Sequence, residues 1–397
     1  VEIVFTHGED TPVLRAQIRR FNAERRGRIR IRLEIAPSDT DQYFEMLRTG
    51  FEAGRIEADV ISGDVIWPAQ LAARGWISDL SDLFSESLRA RNLSATIKSN
   101  TYDGAVYGVP WFTDAGMLFY RSDLLDEAGF SEPPQTWDEM KEMVEKIRRD
   151  RGTRFGYVFQ GAEYEGGVVD GLEFVWNSGG DVLSRDLDEP TATAPHTIEG
   201  LKAERGTVEE GLAPQAVASF KEYESYAVFL AGEAVFMRNW PNVYSRASDP
   251  SQSDVEPGRI GVAPLPTHRP EDRSYSGLGG WNLMLNAASE EKREAAWEFV
   301  RYLTAPERQK ERALKGGFLP TLKECYEDAE ILSKVPVISL GRAAIRNVRS
   351  RPATPFYRDM SLAMARRFHE SLSGAQSPEE AARALDADLE RILAEKI

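Results

Sequence analysis

Residues 1–74 switch repeatedly between two hydrophobic periods, and this alternation narrows the available folds more than any other feature of the chain. Residues 1–5, Val-Glu-Ile-Val-Phe, make a short apolar run. Ile29, Ile31, Leu33 and Ile35 alternate with charged residues at the period of two that a strand requires. Between these runs Thr11 suits a helix N-cap and Pro12 the first helical position. Leu14, Ile18 and Phe21 then fall on one helical face, and Gly27 ends the pattern. A second helix is expected from about residue 39, with Phe44, Leu47 and Phe51 facing inward. A third strand around Val60-Ile61 ends at Gly63-Asp64, and a helix over 67–74 follows. Strand–helix–strand–helix order implies parallel βαβ units in an open α/β sheet.

After turn chemistry at Asp103-Gly104 and Tyr107-Gly108-Val109-Pro110, a second α/β set begins near residue 111. Strands are expected over 117–120 and 155–159, with helices over 122–128 and 164–176. Thr136 and Glu139 form a capping box ahead of Met140, Met143, Val144 and Ile147. Later come strands over 260–266 and 281–285, a helix over 290–303, and a last helix capped by Ser377 with Pro378 at its first position. No repeat of 20–50 residues is present, which argues against a solenoid or propeller.

Composition removes several function classes. The 397 residues exceed one ordinary domain and contain no apolar run long enough to span a membrane. A net charge of −15 repels phosphate backbones, so no nucleic-acid partner is expected. The one cysteine, Cys325, leaves no internal disulfide and no CxxC site. His7, His196, His268 and His369 are scattered, and no metal site is expected from them. Phosphate-loop, nucleophile-elbow and zinc-protease motifs are missing, as is a complete dinucleotide fingerprint. No cofactor is therefore expected; the 64 acids leave a general acid/base carboxylate pair open, but no spacing points to one, and no residue is assigned as catalytic.

What the chain does carry is acids and aromatics at turns. Asp10 stands at a strand-to-helix turn, Asp64 just past a strand, and Asp114 after Trp111-Phe112. Trp240 lies in Arg238-Asn239-Trp240-Pro241, and Trp281 follows two glycines. In open α/β sheets ligands bind beyond the carboxyl ends of strands. A carboxylate accepts two hydroxyls, while an indole face covers the apolar face of a pyranose. The set suits an uncharged polyhydroxy ligand. Each residue type also has a structural use. Tryptophan packs in cores, as expected of Trp137, Trp176 and Trp297, aspartate caps helices, and Glu222 is by itself a helix-start acid.

On particular motifs the chain resembles the trehalose/maltose-binding branch of the solute-binding proteins that serve ABC sugar importers. The segments are Asp64-Val65-Ile66-Trp67, Gly108-Val109-Pro110, Thr113-Asp114-Ala115-Gly116 running to Arg121, and Pro133-Pro134-Gln135-Thr136-Trp137. They continue with Gln160-Gly161-Ala162-Glu163-Tyr164-Glu165-Gly166, Arg238-Asn239-Trp240-Pro241, Gly261-Val262-Ala263-Pro264-Leu265-Pro266, Leu278-Gly279-Gly280-Trp281 and Arg351-Pro352. The resemblance implies a type II periplasmic-binding-protein-like α/β fold, with two lobes, three hinge crossings and a ligand cleft between the lobes. With crossings at the proline-bearing stretches, one lobe is expected over 1–110 and 265–319, the other over 111–264 and 320–397. Asp10, Asp64 and Asp114 resemble hydroxyl-binding acids, with Glu222 a further acid. Trp240 and Trp281 resemble stacking aromatics, and Gly280 a backbone donor. Arg351 is similar to an arginine that reaches the sugar, and Gln42 is a further ligand residue. Tyr164 and Glu165 are expected to be structural. Phe112 stands where a Tyr is common and Asn242 where an aromatic is common, so these ligand-binding positions differ from the family pattern.

The resulting expectation is a non-enzymatic monomer that binds a disaccharide or similar glycoside and delivers it to the membrane subunits of an ABC permease. It would act outside the cytoplasm as a mature chain after signal removal, periplasmic or lipid-anchored at the outer face of the membrane. Two rivals stand beside it. A glycoside hydrolase with an Asp/Glu pair calls for eight strand–helix units, where two shorter sets are read. A sugar-sensing binding protein uncoupled from transport is the other.

Overall fold

The first strand, Glu2–His7, carries the unbroken apolar run Ile3-Val4-Phe5 because both of its faces are covered. Ile3 and Phe5 join a cluster with Leu14, Phe21, Val60, Leu283 and Phe299. Val4, pointing the other way, joins Tyr43, Phe44, Leu47, Ile61, Trp67 and Met284. The structure is a computed structural model that describes residues 1–395, Arg151 by its backbone alone.

Glu2–His7 pairs in parallel with Arg30–Ile35 and with Val60–Asp64. Val60–Asp64 in turn pairs antiparallel with the far half of Ser276–Leu285. The helix Pro12–Glu24 starts as its sequence dictates, with the Thr11 hydroxyl accepting from the Leu14 N–H and Pro12 in the first turn. Asp39 caps Thr40–Glu52 in the same way. A buried carboxylate, Asp59, accepts from the Val4 N–H at 2.8 Å and pairs with Lys292 at 2.9 Å, tying a strand to a distant turn.

The chain divides into two units. The first comprises Val1–Asp114, Leu278–Ile338 and Ala353–Tyr357; the second comprises Ala115–Gly277, Ser339–Pro352 and Arg358–Ile397. Val109-Pro110-Trp111 and Phe318-Leu319-Pro320-Thr321 lie in the first unit, and Pro264-Leu265-Pro266 in the second.

The second unit has its own sheet, in the order Ile260–Ala263, Met117–Arg121, Ala234–Asn239, Phe155–Val158. Only the last pair is parallel. The helix Glu165–Trp176 is buried along its whole length, which requires apolar or paired residues on every side. Trp137–Arg151 begins with the expected Thr136/Glu139 capping box, and Pro378–Ala394 with one from Ser377 and Glu380.

Candidate functional site

In the first unit Asp64, Phe112, Asp114, Gly280 and Trp281 lie on neighbouring strands. Asp64, the last residue of its strand, stands directly opposite Trp281 in the antiparallel ladder. Both lie at the carboxyl end of Val60–Asp64, where open α/β sheets receive ligands. Asp64 is nearly buried, and its Oδ1 accepts from the Ile66 N–H at 3.2 Å. Trp281 is half-buried and backed by a layer of rings: Tyr43 lies nearly parallel at 5.9 Å, Trp67 edge-on at 5.4 Å and His7 edge-on at 5.7 Å. Such packing fixes an indole plane without polar contacts.

Gly280 brings the third element in. Its φ is +113°, and a Cβ there would lie 2.4 Å from the Phe112 carbonyl oxygen and 2.6 Å from Thr113 Cα. Only glycine allows this conformation and this closeness. The strand Val109–Ala115, which carries Phe112 and Asp114, is thereby held beside Gly280 and Trp281. The Gly280 carbonyl accepts from the Val65 N–H at 3.2 Å, linking the same residue to the Asp64 strand. Phe112 is buried and Asp114 half-buried. Asp10 and Gln42 are exposed; Asp10 forms a bidentate pair with Arg15, which holds its carboxyl below the usual carboxylate range. Gln42 occupies the first turn of Thr40–Glu52, beyond the carboxyl end of Arg30–Ile35.

Two residues beneath this group were not read from the sequence. Arg312 is buried with its guanidinium 3.8 Å from the Trp111 ring centre and 4.7 Å from those of Phe112 and Phe318. Burial pulls its pKa down to about 9, against the opposing pull of Glu9 and Asp114. It remains a cation at neutral pH, stabilised by ring faces. The signal was present: Gln309, Arg312 and Ala313 form the buried stripe of Pro306–Gly316. His7 shares Nδ1 with the Ser62 hydroxyl at 2.7 Å, and burial lowers its pKa to about 3, so it stays neutral.

In the second unit Glu222 and Trp240 come together. The Trp240 Nε1–H donates to Glu222 Oε1 at 3.3 Å, and the Arg238 guanidinium lies 4.1 Å from the Trp240 ring centre. Asn242 is half-buried just beyond, at the N-cap of Val243–Arg246. Arg351 is buried and tied to Glu165, its Nη1 donating to Oε1 at 2.5 Å. Glu165 also accepts from the Ser361 hydroxyl. Tyr164, adjacent to Glu165, is half-buried with its hydroxyl enclosed near Glu222, and both facts push its phenol pKa upward. Both units therefore present a backed indole beside a carboxylate, an arrangement chemically suited to hydroxyls and an apolar ring face.

The sequence profile of the bacterial extracellular solute-binding proteins matches residues 8–310. The chain belongs to this family. A solved structure, maltose-bound MalE3 of T. maritima, is 34% identical with a TM-score of 0.91, and the match covers 98% of this chain and 99% of that one. A probable ABC transporter-binding protein of Deinococcus radiodurans is 34% identical over 91% of this chain and 86% of its own length. The maltotriose-binding protein of Pyrococcus abyssi is 26% identical over 73% of this chain and 60% of its own.

These findings bear out the resemblance and the type II periplasmic-binding-protein-like α/β class, which other solved structures share at TM-scores from 0.82 upward. This solute-binding protein is the substrate-binding component of an ABC importer, not an enzyme. The family is extracellular, which places the chain outside the cytoplasm. Among the described residues no helix is long and apolar enough to cross a membrane, and no group of metal-ligating side chains assembles.

Proposed function

We propose that this solute-binding protein binds a neutral disaccharide or similar small glycoside, of the maltose or trehalose type, and delivers it as a monomer to the membrane subunits of its ABC permease. The observation that carries this reading is Trp281, half-buried, backed by Tyr43 and Trp67, and directly opposite Asp64. An indole with one face packed offers the other to the apolar face of a pyranose, and the adjacent carboxylate accepts its hydroxyls. Trp240 beside Glu222 repeats the pairing in the second unit. The maltose-bound relative at 34% identity and the maltotriose-binding relative support a glucose-based oligosaccharide.

We read Asp10, Gln42, Asp64, Phe112, Asp114, Gly280 and Trp281 of the first unit, with Glu222, Trp240, Asn242 and Arg351 of the second, as contacts to one sugar. The energies suffice. Each hydrogen bond to a charged acceptor contributes about 1.5–3 kcal/mol, and micromolar affinity needs about 8 kcal/mol. We also read the chain as periplasmic or lipid-anchored.

A thermal-shift screen tests the ligand class. At a hundredfold excess over Kd, a ligand of the folded state adds about 2.7 kcal/mol of stability. Maltose or trehalose should raise the melting temperature, and mannitol should not. A panel in which no disaccharide moves the transition would refute the reading.

A further inference from the structure

Arg238 is 1% exposed in a strand whose other residues are mostly apolar. Its Nε and Nη2 donate to the two oxygens of Glu173 at 2.7 and 2.8 Å, and its Nη1 to Gln160 Oε1 at 2.9 Å. Asp170 lies 3.4 Å away. Burial and the nearness of Glu173 push the Asp170 pKa well up, against the opposing pull of Arg238. Buried ion pairs of this kind often contribute little stability compared with a packed apolar substitute. Their in-plane bonds do fix the guanidinium plane, and they leave its faces bare.

One of those faces is against Trp240, at 4.1 Å from the ring centre. The ring's edge is held as well, by Glu222, and its backbone N–H donates to Asn239 Oδ1 at 2.8 Å. The indole is thus fixed by face, edge and backbone, yet it remains partly exposed. The same Glu173 reaches the ends of the segment Ala115–Gly277. Its Oε1 accepts from the Gly277 N–H at 2.7 Å, and the Gly277 carbonyl accepts from the Gly116 N–H at 3.3 Å. A Cβ at Gly116 would lie 2.0 Å from Glu173 Oε1 and 2.6 Å from Arg238 Nη2, so glycine is needed for the segment to pass. Gly116 is the second residue, and Gly277 the last, of the segment Ala115–Gly277.

We infer that Arg238, oriented by Glu173, is a positioning residue that sets the plane of Trp240 for ligand stacking and fixes that platform to the two ends of the segment Ala115–Gly277. This rests on the reading of Trp240 as a sugar contact. A double-mutant cycle with maltose as the probe tests it, with calorimetric Kd and near-ultraviolet circular dichroism measured on each variant. Arg238→Lys keeps the charge and loses the flat stacking face. It should weaken maltose binding at least fivefold in the parent and less than twofold in a Trp240→Ala background. It should also abolish the near-ultraviolet component that Trp240→Phe removes. Glu173→Gln should move both readouts the same way, more weakly, and carries the test if Arg238→Lys does not fold. A fivefold loss that persists without Trp240, or an unchanged Trp240 spectral component in a folded variant, would overturn the inference. If Trp240→Ala binds maltose like the parent, or the parent does not bind maltose, the sugar reading of Trp240 falls. The spectral component then decides alone whether Arg238 sets the ring.

Discussion

Glu204→Gln should change how stability depends on pH, and the size follows from where Glu204 sits. It lies on the buried face of Pro195–Glu209, 1% exposed, and its Oε2 has no hydrogen-bond partner among the described residues. Burial disfavours the charged form and raises its pKa to about 8 from 4.5. The folded state then holds a proton that the unfolded state releases. Stability from this group is fully present below pH 4.5 and is lost as pH rises through 8. At about 1.4 kcal/mol for each pH unit, the whole displacement amounts to about 5 kcal/mol, of which about 4 is lost between pH 5 and pH 8.5. Glutamine does not titrate. The melting temperature of Glu204→Gln should therefore gain on the parent by about 10 °C between those pH values, taking roughly 2–4 °C per kcal/mol. Calorimetric melts of both proteins from pH 4 to 9 provide the measurement. Parallel curves would show that Glu204 ionises normally and that its burial has been misjudged.

His7 carries the opposite sign. Its pKa, lowered to about 3, means stability is lost as pH falls from 6.5 toward 3, and His7→Asn should flatten that acid limb of the melting profile. Trp281→Ala should weaken disaccharide binding more than tenfold while the far-ultraviolet circular dichroism stays unchanged; calorimetry that finds equal affinity would remove Trp281 from the site. Asp64→Ala and Asp114→Ala should each cost about 1.5–3 kcal/mol of binding energy, and the Asn variants less, because an amide keeps one acceptor. Arg351→Ala should raise the dissociation rate more than it lowers the association rate, as read by surface plasmon resonance.

How much of this was legible before the structure depends on how local each cause is. The helices capped by Thr11, Thr136 and Ser377 were readable because a cap and the first turn lie within a few residues of each other. The strand Ser276–Leu285 begins five residues ahead of the expected 281, because Gly277, Gly279 and Gly280 have no β-preference and the early half is defined by tertiary pairing, Ser276 with Val348 and Gly277 with Arg349. Ala234–Asn239 was read only through the turn that follows it, since Arg238 looks like a surface charge until its partners Glu173 and Gln160 are brought beside it. The acid and aromatic types were visible. That Asp64 faces Trp281 was not, because antiparallel register between distant strands is set by tertiary pairing. Glu222 read as a helix-start acid, and it is one; its bond to the Trp240 indole is what the local pattern could not show.

The central claim is that the residues read as sugar contacts, Asp64 and Trp240 among them, serve a neutral disaccharide. Calorimetric titration of maltose into the parent, Asp64→Ala and Trp240→Ala, one variant from each unit, tests it most directly. The account predicts a saturable one-to-one isotherm for the parent near micromolar Kd, about 8 kcal/mol of binding energy, with both variants at least tenfold weaker. Absence of saturable heat from maltose, trehalose and sucrose at millimolar concentration, or a loss confined to one of the two variants, would contradict it.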